Sequence, residues 1–251
     1  DDRLTGFFNT EPILGRYIAY LSLFTFALMY QIYKKTKLMM TLSVSFLVMC
    51  EVIVFLTGER APLFYVSLFT VLIVIFIPHY RLYRIVGVIA SIIIIFSILQ
   101  INPTAKSRIV DHTIQQVSET KIPGMPYSAH HEEHYITSLN MFKEHPIFGV
   151  GTNMFRFKCD NPQYKYKRGC ISHPHNFYFQ AIAELGIIGL LFLITFFLYL
   201  LFIGLKQFIF VLTNNKTKQI PFEFLLYPMI LFIYWWPIIP HMSFYNNWNN
   251  V

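Results

Sequence analysis

A chain of 251 residues with 55% hydrophobic and only 13% charged residues cannot clothe a soluble globule, whose composition includes about a quarter charged residues. The apolar residues run together in long stretches, so lipid must cover much of the surface. The formal net charge of +7 does not indicate a nucleic-acid binder, because the basic residues stand in short loops between apolar runs, where membrane topology puts them.

The chain opens on a polar, loop-like stretch, DDRLTGFFNTEP, with no signal peptide and Asp1 in place of Met, and it ends abruptly on SFYNNWNNV. The expectation is a fragment of a longer chain whose earlier spans lie upstream. Six apolar stretches follow: 13–33, 38–56, 62–77, 85–101, 177–212 and 222–239. A span needs about 20 residues, so the third and fourth are near the short limit and the fifth is too long for one simple crossing. Its first turns, FYFQAIAELG, are expected at or above the membrane surface, with the crossing beginning near Gly186.

Loop charge sets the orientation. The loops with Lys34, Lys35 and Lys37, with Arg81 and Arg84, and with the basic stretch from Lys206 to Lys218 contain no acid and are expected in the cytoplasm. The alternate segments then face outward: the opening stretch, the turn TGERAP, the segment 102–176 and the tail from His241. The predicted architecture is an all-α integral membrane protein with about six transmembrane helices and a large, partly helical periplasmic loop. Its parts are a first transmembrane bundle of four spans (1–101), the periplasmic loop (102–176), and two last spans with an outward tail (177–251).

The segment 102–176 is too long for a simple connector. Within it YSAHHEEHYITSLNMFKEH reads as a helix, with Tyr135, Leu139 and Phe142 at helical spacing and with Pro146 and the Gly149–Gly151 pair ending it. Cys50 sits in the second span as a packed residue. Cys159 and Cys170 lie in the outward segment, where an oxidising compartment is expected to pair them and staple the loop just before His173.

Three stretches could carry chemistry. In HPHNFYFQAIAELGIIGL, His173 and His175 flank Pro174, which restricts the backbone that presents them. Imidazoles titrate near neutrality and can move protons; they can equally anchor a helix at headgroup level. Glu184 follows near the bilayer edge, where an ionisable group is costly and therefore a functional candidate. In TGER, the Arg60 guanidinium can grip a phosphate through two parallel hydrogen bonds, or simply snorkel to lipid headgroups beside Glu59. Arg3 and Arg108 are further arginines near outward span ends, and several cations converging on one outer cavity would suit a pyrophosphate. HHEEH, His130 to His134, matches a zinc-peptidase pattern literally, but no third ligand is evident and no metal is assigned. There is no phosphate-binding Walker loop, dinucleotide fingerprint or paired-carboxylate motif, so no cofactor is expected and the reaction energy must come stored in the substrate.

HPHNFYFQAIAELGIIGL, preceded by HPIFGVGTNMFR, resembles the core of the O-antigen ligase and O-antigen polymerase superfamily. TGERAPLF resembles its arginine-bearing turn, and RLTGFFNTEPILGRYIAY its earlier outward segment leading into a span. The matches fall in the family's order over most of the chain. The resemblance implies a multi-span glycosyltransferase of the bacterial inner membrane, with its site under the periplasmic loop and no metal. It would move a glycan from undecaprenyl pyrophosphate, with inversion, to lipid A core or to another lipid-linked repeat. Arg60 would hold the pyrophosphate and His175 would help deprotonate the acceptor hydroxyl or orient the site. Arg3, Arg108, His173 and Glu184 are candidate substrate-binding residues. The chain departs from the family at His130–His134, where an arginine is expected. The alternatives are a non-enzymatic transporter or flippase of lipid-linked saccharide, and a membrane zinc peptidase.

Overall fold

The computed structural model describes residues 4–8, 13–32, 36–118, 129–213 and 220–245. Among these the structure is helical, without a strand. The helices are α1 (Leu14–Ile32), α2 (Lys37–Thr57), α3 (Arg60–Phe76), α4 (Arg81–Ile101), the short α5 (Pro103–Lys106) and α6 (His112–Ser118), then α7 (Ala129–Glu144), the single turn α8 (Phe155–Lys158), the long α9 (Phe177–Thr213) and α10 (Phe222–Tyr234). Three of them, α2, α4 and α9, are long and apolar enough to cross a membrane, and α3 is a shorter apolar helix. α10 stops at Tyr234, short of the 222–239 stretch, because Pro237 and Pro240 follow and proline disfavours helical backbone at the residue before it.

The chain divides into two compact units. The first comprises Asp1–Asp111 and Leu200–Tyr234, the second His112–Tyr199 and Trp235–Val251. In the first unit, α1, α2 and α3 pack on a core of Ala19, Val54 and Val66, with Ile18 and Leu63 against it. Phe26 of α1 meets Phe69 of α3 edge to face, 5.5 Å between ring centres, and Leu225, Leu226 and Ile233 of α10 are buried. Thr36 caps α2 by accepting the Met39 N–H, and Gly58 ends it in the left-handed conformation at φ 70°. The basic turn between α3 and α4 is fastened by Arg84. Its side chain, 1% exposed, donates to the carbonyls of Ile77 and His79. On α4, Leu82, Val86, Ile89, Ile93 and Phe96 stay exposed, as a helix facing lipid requires.

The second unit is built on Met141, Val150, Phe155, Cys159, Tyr164 and Ala183, with Met154 and Cys170 packed against them. Helix α7 does not bury the face that its apolar spacing suggests. Tyr135 and Met141 are inside, but Leu139 is 37% exposed, and His134, Thr137 and Ser138 are buried in its place. Polar residues can go inside because each hydroxyl finds a partner: Thr137 donates to the Glu133 carbonyl and accepts the Tyr166 N–H, and Ser138 donates to the His134 carbonyl.

Candidate active site

The second unit presents its chemistry at the start of α9. Cys159 and Cys170 form a disulfide with a Cα–Cα distance of 4.9 Å, closing the loop that leads to the histidines. Reducing that crosslink, or replacing both cysteines by serine, is expected to cost about 3 kcal/mol through the freedom regained by the unfolded loop. The check is a lowered midpoint of thermal unfolding and faster proteolytic nicking between residues 159 and 170.

Ser172 Oγ lies 2.9 Å from His173 Nδ1. Pro174 follows, and His175 then takes a positive φ of 56°, a left-handed conformation uncommon for any residue but glycine. Three hydrogen bonds hold the turn in that state. The His241 N–H donates to the His175 carbonyl at 2.7 Å, and Asn176 accepts the N–H groups of Tyr178 and Phe179, capping α9. The Asn176 amide also donates to the Pro237 carbonyl at 2.8 Å. HPHN is therefore a device: the asparagine fixes the helix start, and the reversed backbone before it holds the His175 imidazole outside the helix, half-buried rather than sealed.

Other imidazoles surround that ring. His173 lies 4.2 Å away between ring centres, and His131 and His134 of α7 lie at 5.5 Å and 5.9 Å. The histidine-rich motif therefore belongs to the surroundings of His175, a tertiary fact with no signature in spacing along the chain. Tyr135 of the same helix stacks on Phe179 at 4.1 Å, which fixes the rotation of α7 against α9. Among the described residues no group of three or more His, Cys, Asp or Glu is placed to hold a metal ion. The side chain of His130 lies outside the described residues.

Glu184 is buried, 1% exposed, and its carboxylate is occupied by the protein itself. Oε1 accepts the Phe155 N–H at 2.9 Å, Oε2 accepts the Gln180 amide at 3.2 Å, and the Tyr245 hydroxyl hydrogen-bonds to the same carboxylate. Burial, and then the neighbouring Glu184 carboxylate, push the Tyr245 phenol above its ordinary value and keep it a donor. Around Glu184 the chain interlocks at two glycines. Gly186 breaks α9 with φ 65° and ψ −154°, and the freed backbone pairs with the HPIFGVG segment. The N–H groups of Val150 and Gly151 donate to the carbonyls of Ala183 and Glu184, and the Ile187 N–H donates to the Pro146 carbonyl. A side chain on Gly149 would overlap the Glu184–Leu185 backbone, so both glycines are required for close approach and positive φ. Removing the carboxylate strands buried donors at about 1–3 kcal/mol each, so Glu184→Ala should destabilise far more than Tyr245→Phe, which leaves only one acceptor site unfilled. Unfolding midpoints of the two purified variants check the order.

Beside this anchor lies a cavity of about 450 Å³ lined chiefly by Phe148, Phe177, Leu185, Phe192 and Phe244, with Gln180 and Glu184 at its polar corner.

In the first unit, the TGER turn joins α2 to α3. The Thr57 hydroxyl donates to the Val54 carbonyl at 2.7 Å, and the Glu59 carboxylate accepts the Gly15 N–H at 2.6 Å. Arg60 opens α3 and is exposed. The side chain of Arg108 crosses the bare backbone of Gly58, where a Cβ would come within 2.6 Å of its Cδ. The structure thus brings Arg108 to the turn that carries Arg60, while His173, His175 and Glu184 cluster in the other unit. Arg3 lies outside the described residues. The sequence reading missed Gln180, which sits one helical turn before Glu184, and Tyr245, distant in the chain.

Helices of membrane-spanning length, an all-α arrangement among the described residues and apolar surfaces turned outward define a multi-pass membrane protein. The chain belongs to the O-antigen ligase family, whose model matches residues 44–194, more than half of the sequence. That stretch contains the TGER turn, Arg108, the histidine-rich helix, the HPHN turn and the Glu184–Gly186 interlock. No curated protein matches the chain.

Proposed function

We propose that this protein transfers a glycan from undecaprenyl pyrophosphate to an acceptor hydroxyl, either on lipid A core or on another lipid-linked repeat, at the periplasmic side of a bacterial inner membrane. Six spans, with the basic turns in the cytoplasm and the segment 102–176 outside, complete the reading. The observation that carries it is the HPHN turn, which holds the His175 imidazole in a strained, half-buried presentation inside a family of glycan ligases.

The reaction is a displacement at the anomeric carbon. The acceptor oxygen attacks, its proton passes to a ring nitrogen of His175, and the bond from the anomeric carbon to the diphosphate oxygen breaks with inversion. Lipid diphosphate leaves with the bonding electrons. Arg60, with Arg108 beside its turn and Arg3, supplies the guanidiniums that bind this anion and stabilise the charge it gains. His173 orients His175. Glu184 acts as a positioning residue that anchors α9 to the loop, since its carboxylate is occupied by the protein's own donors. The cavity next to it suits the apolar part of a lipid substrate. Incubating purified protein with lipid-linked repeats, with and without lipid A core, tests the reading. Extension of either acceptor supports it and tells ligase from polymerase. If neither is extended by protein that is folded and membrane-inserted, the proposal fails.

A further inference from the structure

We infer that Arg16, in the first turn of α1, forms an additional anion subsite that binds the diphosphate of the lipid-linked donor. This inference rests on the transferase reading but uses different residues. The Gly15 N–H bond to Glu59 fastens the start of α1 to the TGER turn, so Arg16 stands beside the turn that carries Arg60 and receives Arg108. The Arg16 guanidinium hydrogen-bonds to Tyr20, which is in turn hydrogen-bonded to Tyr234 of α10, and its charge reaches Tyr65 of α3. The side chain is thereby held by Tyr20, one helical turn on, which α10 holds in turn through Tyr234.

Its Nη1 is buried and has no hydrogen-bond acceptor among the described residues. The nearby acid, Glu59, spends Oε1 on the Gly15 amide. A buried charged donor with no partner is costly, and a structure retains it where something from outside completes it. Phenols donate and accept but carry no charge, so the missing partner is an oxyanion. A phosphate oxygen fits a planar guanidinium fork held by Tyr20, and a diphosphate can engage Arg16 and the exposed Arg60 together.

The test uses the full chain reconstituted in zwitterionic lipid, with Arg16→Ala, Arg16→Gln and Arg16→Lys. Glutamine keeps a donor for Tyr20 and so guards against simple unfolding. The expected result for alanine and glutamine is a KM for lipid-diphosphate-linked glycan raised about tenfold, a matching loss of inhibition by inorganic pyrophosphate, and kcat within about threefold. Lysine should recover part of the binding, because it restores charge without the fork. An Arg16→Gln protein with a wild-type melting temperature and unchanged KM and pyrophosphate inhibition would overturn the inference. So would a defect that appears only when anionic phospholipid is added, which would make Arg16 a headgroup contact. If the wild type forms no glycosidic bond yet inorganic pyrophosphate raises its melting temperature and not that of Arg16→Gln, the anion subsite stands and the transferase reading falls.

Discussion

His175→Ala is expected to reduce glycan transfer by about 10²–10⁴-fold, the range over which a positioned proton acceptor contributes to a transition state. The protein should remain folded and in the membrane. The turn that carries His175 is held through its backbone: the His175 carbonyl accepts from the His241 N–H, and its neighbour Asn176 provides the helix cap. Alanine at this position loses the imidazole and keeps those bonds. The left-handed backbone at φ 56° adds a control, since His175→Gly suits that conformation better and should fold at least as well while remaining inactive. The check is transfer by purified variants normalised to membrane-inserted protein. Activity within a few-fold of wild type would remove His175 from the chemistry and return it to an interfacial anchor.

Arg60→Ala should lower transfer by about 10²–10³-fold, the loss typical when a donor aimed at developing charge is removed. Arg60 is exposed at the first position of α3, and Glu59, which fastens the turn to α1, is untouched by the change. Structural damage should therefore be small. Arg60→Lys should recover only part of the rate, because an ammonium lacks the two parallel donors. An arginine that merely snorkels to headgroups predicts the opposite outcome: normal surface polysaccharide with either substitution.

Much of this was legible in the sequence because it rests on local chemistry. The long apolar runs gave the helices, Gly186 was readable as the point where the fifth run changes character, and Pro174 followed by His175 and Asn176 announced a presented imidazole before a helix. What stayed hidden depends on which elements meet. HHEEH looked like a metal pattern on its own helix, and its meaning came only when α7 set His131 and His134 against His175. Glu184 invited a substrate role because a carboxylate near a bilayer edge is unusual; its hydrogen bonds to Phe155 and Tyr245, distant in the chain, and to Gln180, one helical turn before it, had no mark in the sequence. The helix α7 was readable from its spacing, but the burial of Thr137 and Ser138 was not, because hydroxyls that bond locally can replace apolar residues inside. Arg16 gave no signal, since one arginine after a glycine near a span end marks nothing until Tyr20 and Tyr234 are found beside it.

The most direct measurement places the purified protein in sealed vesicles with a lipid-diphosphate-linked glycan and an acceptor in the same leaflet, and follows the product by mass and by anomeric configuration. Transfer predicts a new glycosidic bond of inverted configuration with release of lipid diphosphate, lost in His175→Ala. Movement of intact lipid-linked saccharide to the other leaflet with no new bond would contradict it and identify a transporter instead.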